Sequence, residues 1–151
     1  MIQLQRYPIV QLFQLSQFLG PAGKKQILRR DYSFVYSMQH GRLVDPYGSS
    51  DGSLYSGCAW AMRRETFNAL GGLLDFSILG TGDAHFAYAL FNRIEETLPA
   101  RVHKDYRYLA QLWGERLAQL SGNGAFVGCV PVNLQHYWHE HPLLGNETRR
   151  W

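Results

Sequence analysis

At 151 residues, 46% hydrophobic and 18% charged, the chain has the composition of one folded domain, which excludes a disordered tail or a low-complexity array. The formal charge of +3 comes with small basic pairs, Lys24/Lys25, Arg29/Arg30, Arg63/Arg64 and Arg149/Arg150, none dense enough for a nucleic-acid groove, so no nucleic-acid partner is expected. Cys58 and Cys129 have neither CxxC spacing nor a disulfide framework, and Gln, Arg and Pro interrupt the apolar N-terminal segment, which excludes a continuous membrane span; the expected location is cytoplasmic.

In chain order, the apolar residues between Ile9 and Leu19 fit either a strand or a short helix, and periodicity alone does not choose between them. Gly20-Pro21-Ala22-Gly23 breaks that pattern. The run DYSFVYSM, residues 31–38, has the aromatic and β-branched content of a strand, and residues 39–53 read as a loop. Leu54 to Met62 reads as the next strand. Arg63 to Leu70 reads as a helix with Gly71 as its left-handed stop.

Gly80-Thr81-Gly82-Asp83 then opens a helix whose buried stripe is Phe86, Ala89, Leu90 and Ile94, with Asp83 at the N-cap position. A longer helix follows from Tyr106, Leu109, Leu112, Trp113, Leu117 and Leu120, ended by Ser121-Gly122-Asn123-Gly124. Ala125 to Trp138 is extended, with Pro131 at an edge or kink, and delivers His136, His139 and His141. Strands separated by helices predict an α/β fold, a mixed sheet flanked by helices.

The stretch GCAWAMRRETFNALGGLLDFSILGTGD resembles the acceptor-side half of nucleotide-sugar-dependent glycosyltransferases of the GT-A fold, of the broad family 2 type, with the pattern G-x-A-W-A, GG-L-x-D, G-x-G-D. VGCVPVNLQHYWH is similar to that branch's strand ending in a histidine pair, and VQLFQLSQFLGP resembles it more faintly. The resemblance implies a partial GT-A fold over residues 1–151, and transfer of a sugar from a nucleotide-sugar donor to a hydroxyl acceptor. It implies that Asp83 acts as general base, since a hydroxyl attacking an anomeric carbon must lose its proton. It implies that Gly80 and Gly82 let the backbone approach the sugar and that His136 is a ligand of a divalent metal, Mn²⁺ or Mg²⁺; Trp60, Asp75 and His85 are further candidates for contact with the substrate. The chain departs from the family in having no Asp-x-Asp motif, so a half-domain without its nucleotide-binding N-terminal half is expected, completed by a partner segment or by homo-oligomerisation.

Each of these roles has a plainer counterpart. Asp83 can serve as a helix cap, Asp75 as a turn residue, Trp60 as core and His85 as an ordinary helix histidine. His136, His139 and His141 can bind zinc without any sugar nucleotide: a helical backbone puts the first two on one side, an extended one on opposite faces. The alternative to an enzyme is a non-catalytic module of the same fold that binds glycans or protein.

Overall fold

The computed structural model describes residues 2–42, 55–77 and 81–139. Among the described residues six strands form two small mixed sheets. In the first, the central strand β1 (Ile9–Gln11) pairs antiparallel with β4 (Trp60–Met62) and parallel with β5 (Val127–Cys129). In the second, the central β2 (Leu15–Gly20) pairs antiparallel with β3 (Gly23–Tyr32) and parallel with β6 (Asn133–His136). The expected mixed α/β layering is therefore present, divided between two sheets.

The division has a local cause. β1 and β2 are separated by three irregular residues, and their partners β5 and β6 break opposite them at Pro131, which has no N–H to give a ladder. Backbone bonds bridge the break, from Val130 N to the Gln11 carbonyl at 3.0 Å and from Gln14 N to the Val132 carbonyl at 2.9 Å.

Residues 31–38 do not form the expected strand. β3 ends at Tyr32 and a helix, α2 (Phe34–Gln39), begins at once, the second in the chain after α1 (Ile2–Arg6). Ser33 caps it, its hydroxyl accepting from Tyr36 N at 3.3 Å, while Phe34 and Val35 are fully buried. A good cap and two buried side chains outweigh the β propensity of Phe, Val and Tyr.

α3 (Arg64–Leu70) ends as expected, with Gly71 left-handed at φ 86. α4 (Gly82–Ala89) is short and lies inside the molecule: every residue from His85 to Ala89 is buried. Phe86 and Ala89 join the main core with Ile9, Val35, Leu70, Leu117 and Val127, while Ala87 and Tyr88 pack with Phe34 in a smaller cluster. A helix apolar on all sides is a core element, and only its first turn reaches the surface. The stripe continues to Ile94, which lies beyond α4 in a 3-10 turn, Ile94–Thr97.

The long helix, α5 (Lys104–Leu120), buries Ala110, Gly114, Leu117 and Ala118. Gly114 is needed there, because a Cβ would meet Ile94 Cγ2 at 2.8 Å. Leu109 and Leu112, whose spacing announced the helix, remain 47% and 43% exposed. The loop expected at residues 39–53 lies mostly outside the described residues, as do Gly80 and His141. No helix among the described residues is long and apolar enough to cross a membrane.

Candidate functional site

The first turn of α4 carries Asp83 to the surface. The residue is exposed. It is not the N-cap, however. Thr81 holds that position, with φ 66 and ψ −4, and Asp83 is the second helical residue. Asp83 Oδ1 accepts from Ala84 N at 2.9 Å, and Oδ2 faces a different loop, where Ser56 Oγ donates to it at 3.4 Å. A left-handed conformation in a β-branched residue costs roughly 1–3 kcal/mol, a strain that surrounding structure must hold.

That second loop, Tyr55 to Cys58, forms the facing wall. Its position is set from the sheet: buried Gln11 donates from Nε2 to the Tyr55 carbonyl at 2.9 Å and accepts from Val35 N through Oε1 at 3.0 Å. Trp60 holds the same loop from below, its indole N–H donating to the Ser56 carbonyl at 2.8 Å while its ring packs edge-on against Phe86. Trp60 thus supports the loop with a half-buried ring that also packs on both core clusters.

Gly57 is the point where the two walls meet. A Cβ there would lie 3.1 Å from Asp83 Oδ2 and 3.4 Å from the Tyr55 hydroxyl, so any larger residue would crowd the carboxylate. Exposed Cys58 follows, also left-handed at φ 70. Burial pushes the Tyr55 phenol well above its ordinary range, helped by its hydrogen bond to the Cys58 thiol and by the charges of Cys58 and Asp83, with Arg29 opposing. Tyr55 is a neutral hydroxyl at any ordinary pH.

Beyond Tyr55 lies an aromatic row on one face of the second sheet. Phe18 stands edge-on to Tyr55 at 5.2 Å and is in register with Arg29 on β3 and His136 on β6. The Arg29 guanidinium carbon lies 4.2 Å from the Phe18 ring centre and the His136 ring 5.0 Å from it. Arg29 also pairs at 2.8 Å with Asp31, whose carboxyl burial pushes up against the pull of that guanidinium.

Asp83 is thus linked to His136 through Gly57, Tyr55 and Phe18. Gly82 sits in the first turn of α4 beside Asp83, and Asp75 is exposed on the turn after α3. His85 departs from the expectation of a residue near substrate. It is 1% exposed and points inward, its Nδ1 2.6 Å from Thr97 Oγ1 and its Nε2 3.0 Å from the Tyr106 hydroxyl. At position 85 the helix faces the core.

Comparison with protein-family models, with curated proteins and with solved structures finds no match to the chain.

The donor set gives little to a metal. His139 follows His136 after the strand has ended, so the two rings come within 5.2 Å instead of pointing to opposite faces. Among the described residues no group of three or more His, Cys, Asp and Glu could hold a metal ion. Two imidazoles do not fit Mg²⁺ or Mn²⁺, which are hard cations that take oxygen ligands. No step is therefore assigned to a metal at His136.

Burial of His85 makes stability depend on pH. Desolvation lowers its pKa in the folded chain, with Asp83 pulling weakly the other way, so between the folded and unfolded pKa values the unfolded chain binds more protons. Stability from this group is full above the ordinary histidine value of 6.5 and falls as the solution is acidified below it. Denaturant titrations of wild type and His85→Gln at a series of pH values are expected to show this slope in wild type alone.

Proposed function

We propose that this chain is the acceptor-side part of a GT-A-type, family 2-like glycosyltransferase, which moves a sugar from a nucleotide-sugar donor to a hydroxyl acceptor. The observation that carries the reading is the exposed Asp83 carboxylate, held through one oxygen by Ala84 N in the first turn of a helix and facing Ser56 and Gly57 with the other. The motif residues quoted for the resemblance form both walls: Gly57, Cys58 and Trp60 on one side, Thr81, Gly82 and Asp83 on the other.

In the proposed step an acceptor hydroxyl enters over Gly57 and gives its proton to Asp83 as its oxygen bonds to the anomeric carbon. The bond from that carbon to the donor's phosphate oxygen breaks, and the nucleoside diphosphate leaves with the electron pair. Ser56 and the neutral Tyr55 hydroxyl supply hydrogen bonds for a polyhydroxylated acceptor, and Phe18 with Arg29 and His136 supplies an apolar and cationic rim. Positioned acid–base groups of this kind contribute about 10²- to 10⁴-fold to rate.

The test is thermal melting against UDP-, GDP- and dTDP-sugars, each with and without Mn²⁺ as an added component. Ligand at 100 times its Kd stabilises the folded state by about 2.7 kcal/mol, and the expected result is a rise in Tm with one nucleotide class. No rise with any of them, alongside retention on immobilised oligosaccharide, would favour a glycan-binding module that performs no transfer.

A further inference from the structure

The leucine spacing that announced α5 lies on a face that the fold leaves uncovered. The helix buries Ala110, Gly114, Leu117 and Ala118, whereas Tyr108, Leu109 and Leu112 are exposed. At about 3.6 residues per turn, positions 105, 109, 112 and 116 share one stripe about 60° wide, on the side of the helix turned away from the buried set. All four residues there, Asp105, Leu109, Leu112 and Arg116, are exposed. Two leucines at the middle of a solvent-facing stripe, closed at each end by a charge, have the pattern of a helix seam without its second helix.

The stripe is its own complement in reverse. Its spacings are four, three and four, the same from either end. On a second α5 laid antiparallel about a two-fold axis between Ala110 and Gln111, Leu109 of one copy meets Leu112 of the other and Asp105 meets Arg116, and the axis repeats both contacts. A parallel arrangement would set Asp105 against Asp105 and Arg116 against Arg116.

Both charges are available for such a contact. Asp105 has only His103 beside it, Oδ2 lying 3.6 Å from Nδ1 with both side chains 71% exposed. Arg116 donates from Nη1 to the Leu70 carbonyl at 3.1 Å, which fixes the guanidinium while leaving its other N–H groups to bond elsewhere, and among the described residues no carboxylate pairs with it. Arg107 of the same helix, by contrast, is already paired with Glu95 at 2.6 Å.

We propose that the outer face of α5 is a self-association surface: two copies of the chain pair through antiparallel α5 helices, with Leu109 against Leu112 at the centre, Asp105 against Arg116 at both ends, and Tyr108 flanking the leucines. A foreign partner would not require the stripe to match itself in reverse, whereas a second copy does. The surface goes beyond the function proposed above and does not depend on it. A contact made by one helix per chain falls at the small end of specific interfaces, so the association is weak and concentration-dependent.

Sedimentation velocity of the full chain from about 5 µM to about 1 mM tests this, the range in which a small interface titrates. The weight-average sedimentation coefficient is expected to rise with concentration toward that of a dimer. Leu112→Glu sets a carboxylate against each Leu109 and is expected to weaken association by at least about tenfold, with Tm unchanged because position 112 is exposed in the single chain. Asp105→Arg and Arg116→Asp each put like charges at both ends, and each alone is expected to stay monomeric. Mixed one to one, the two variants oppose unlike charges at both ends, and association is expected to return to within about threefold of wild type. Arg116→Asp also loses the bond to Leu70, so melting of each variant is checked first; Leu112→Glu tests the surface without touching that bond. A wild-type monomer at every concentration would overturn the proposal and leave the stripe to a different protein. Undiminished association in Leu112→Glu, or charge variants that associate no better mixed than apart, would overturn it and place the contact elsewhere.

Discussion

Asp83→Asn is expected to lower sugar transfer by about 10²- to 10⁴-fold, the range of a positioned general base, while leaving stability within roughly 0.5 kcal/mol of wild type. Asparagine has the same shape, and its amide oxygen can still accept from Ala84 N, the bond that Asp83 makes at 2.9 Å. What it cannot do is take a proton. The loss should fall on kcat with KM little changed, because a base acts in the transition state more than on bound acceptor. Steady-state kinetics with the nucleotide sugar identified by melting would decide this. A large rise in KM at unchanged kcat would make Asp83 a binding residue and leave the base to be found elsewhere.

Gln11→Met is expected to cost about 2–4 kcal/mol, and to lower Tm by roughly 5–15 °C in a chain of this length. Methionine fills similar space but has no amide. Gln11 is fully buried at the centre of the first sheet, and its loss strips the Val35 N–H of the acceptor it has at 3.0 Å. The Tyr55 carbonyl also loses its 2.9 Å donor, keeping the Phe34 N–H at 3.2 Å. The loop carrying Tyr55, Ser56 and Gly57 should loosen before the fold is lost. Hydrogen exchange at residues 55–58 is therefore expected to accelerate more than exchange in α5, a contrast that a uniform loss of stability would not produce.

The parts of the fold legible in the sequence are those decided by neighbours along the chain. Gly71 ends α3 because its φ is one that glycine takes freely, and Pro131 breaks the C-terminal strand because it has no N–H. α5 was announced by leucines at three and four, although Leu109 and Leu112 turn out to be exposed. Periodicity marks a helix without saying which of its faces the rest of the chain will cover.

What escaped is decided by distant partners. Ser33 offered a cap that could have revealed α2, but burial of Phe34 and Val35 is a tertiary fact. Thr81 took the helix boundary in a conformation that sequence preference assigns to glycine or asparagine, which moved Asp83 two positions inside the helix and turned His85 to the core. In the site, Asp83 and Gly57 both stood in the quoted motif, and only Asp83 had a role. The approach of a missing Cβ to a carboxylate cannot be read from one sequence, nor can the cross-strand register that sets Arg29, Phe18 and His136 in a row.

The pairing of β1 with β5 and of β2 with β6 joins the beginning of the chain to residues far along it, Ile9 beside Val127 and Leu15 beside Asn133. During synthesis Ile9–Gly20 leaves the ribosome before β5 and β6 do, and that segment waits for half of its partners until those strands have emerged. Contacts so distant close slowly, since the whole intervening length must first be gathered. The aromatic row that rests on β6 accordingly forms only once β6 has emerged, and a nascent chain halted before Val127 would carry both central strands with one side bare to any β-strand that passes.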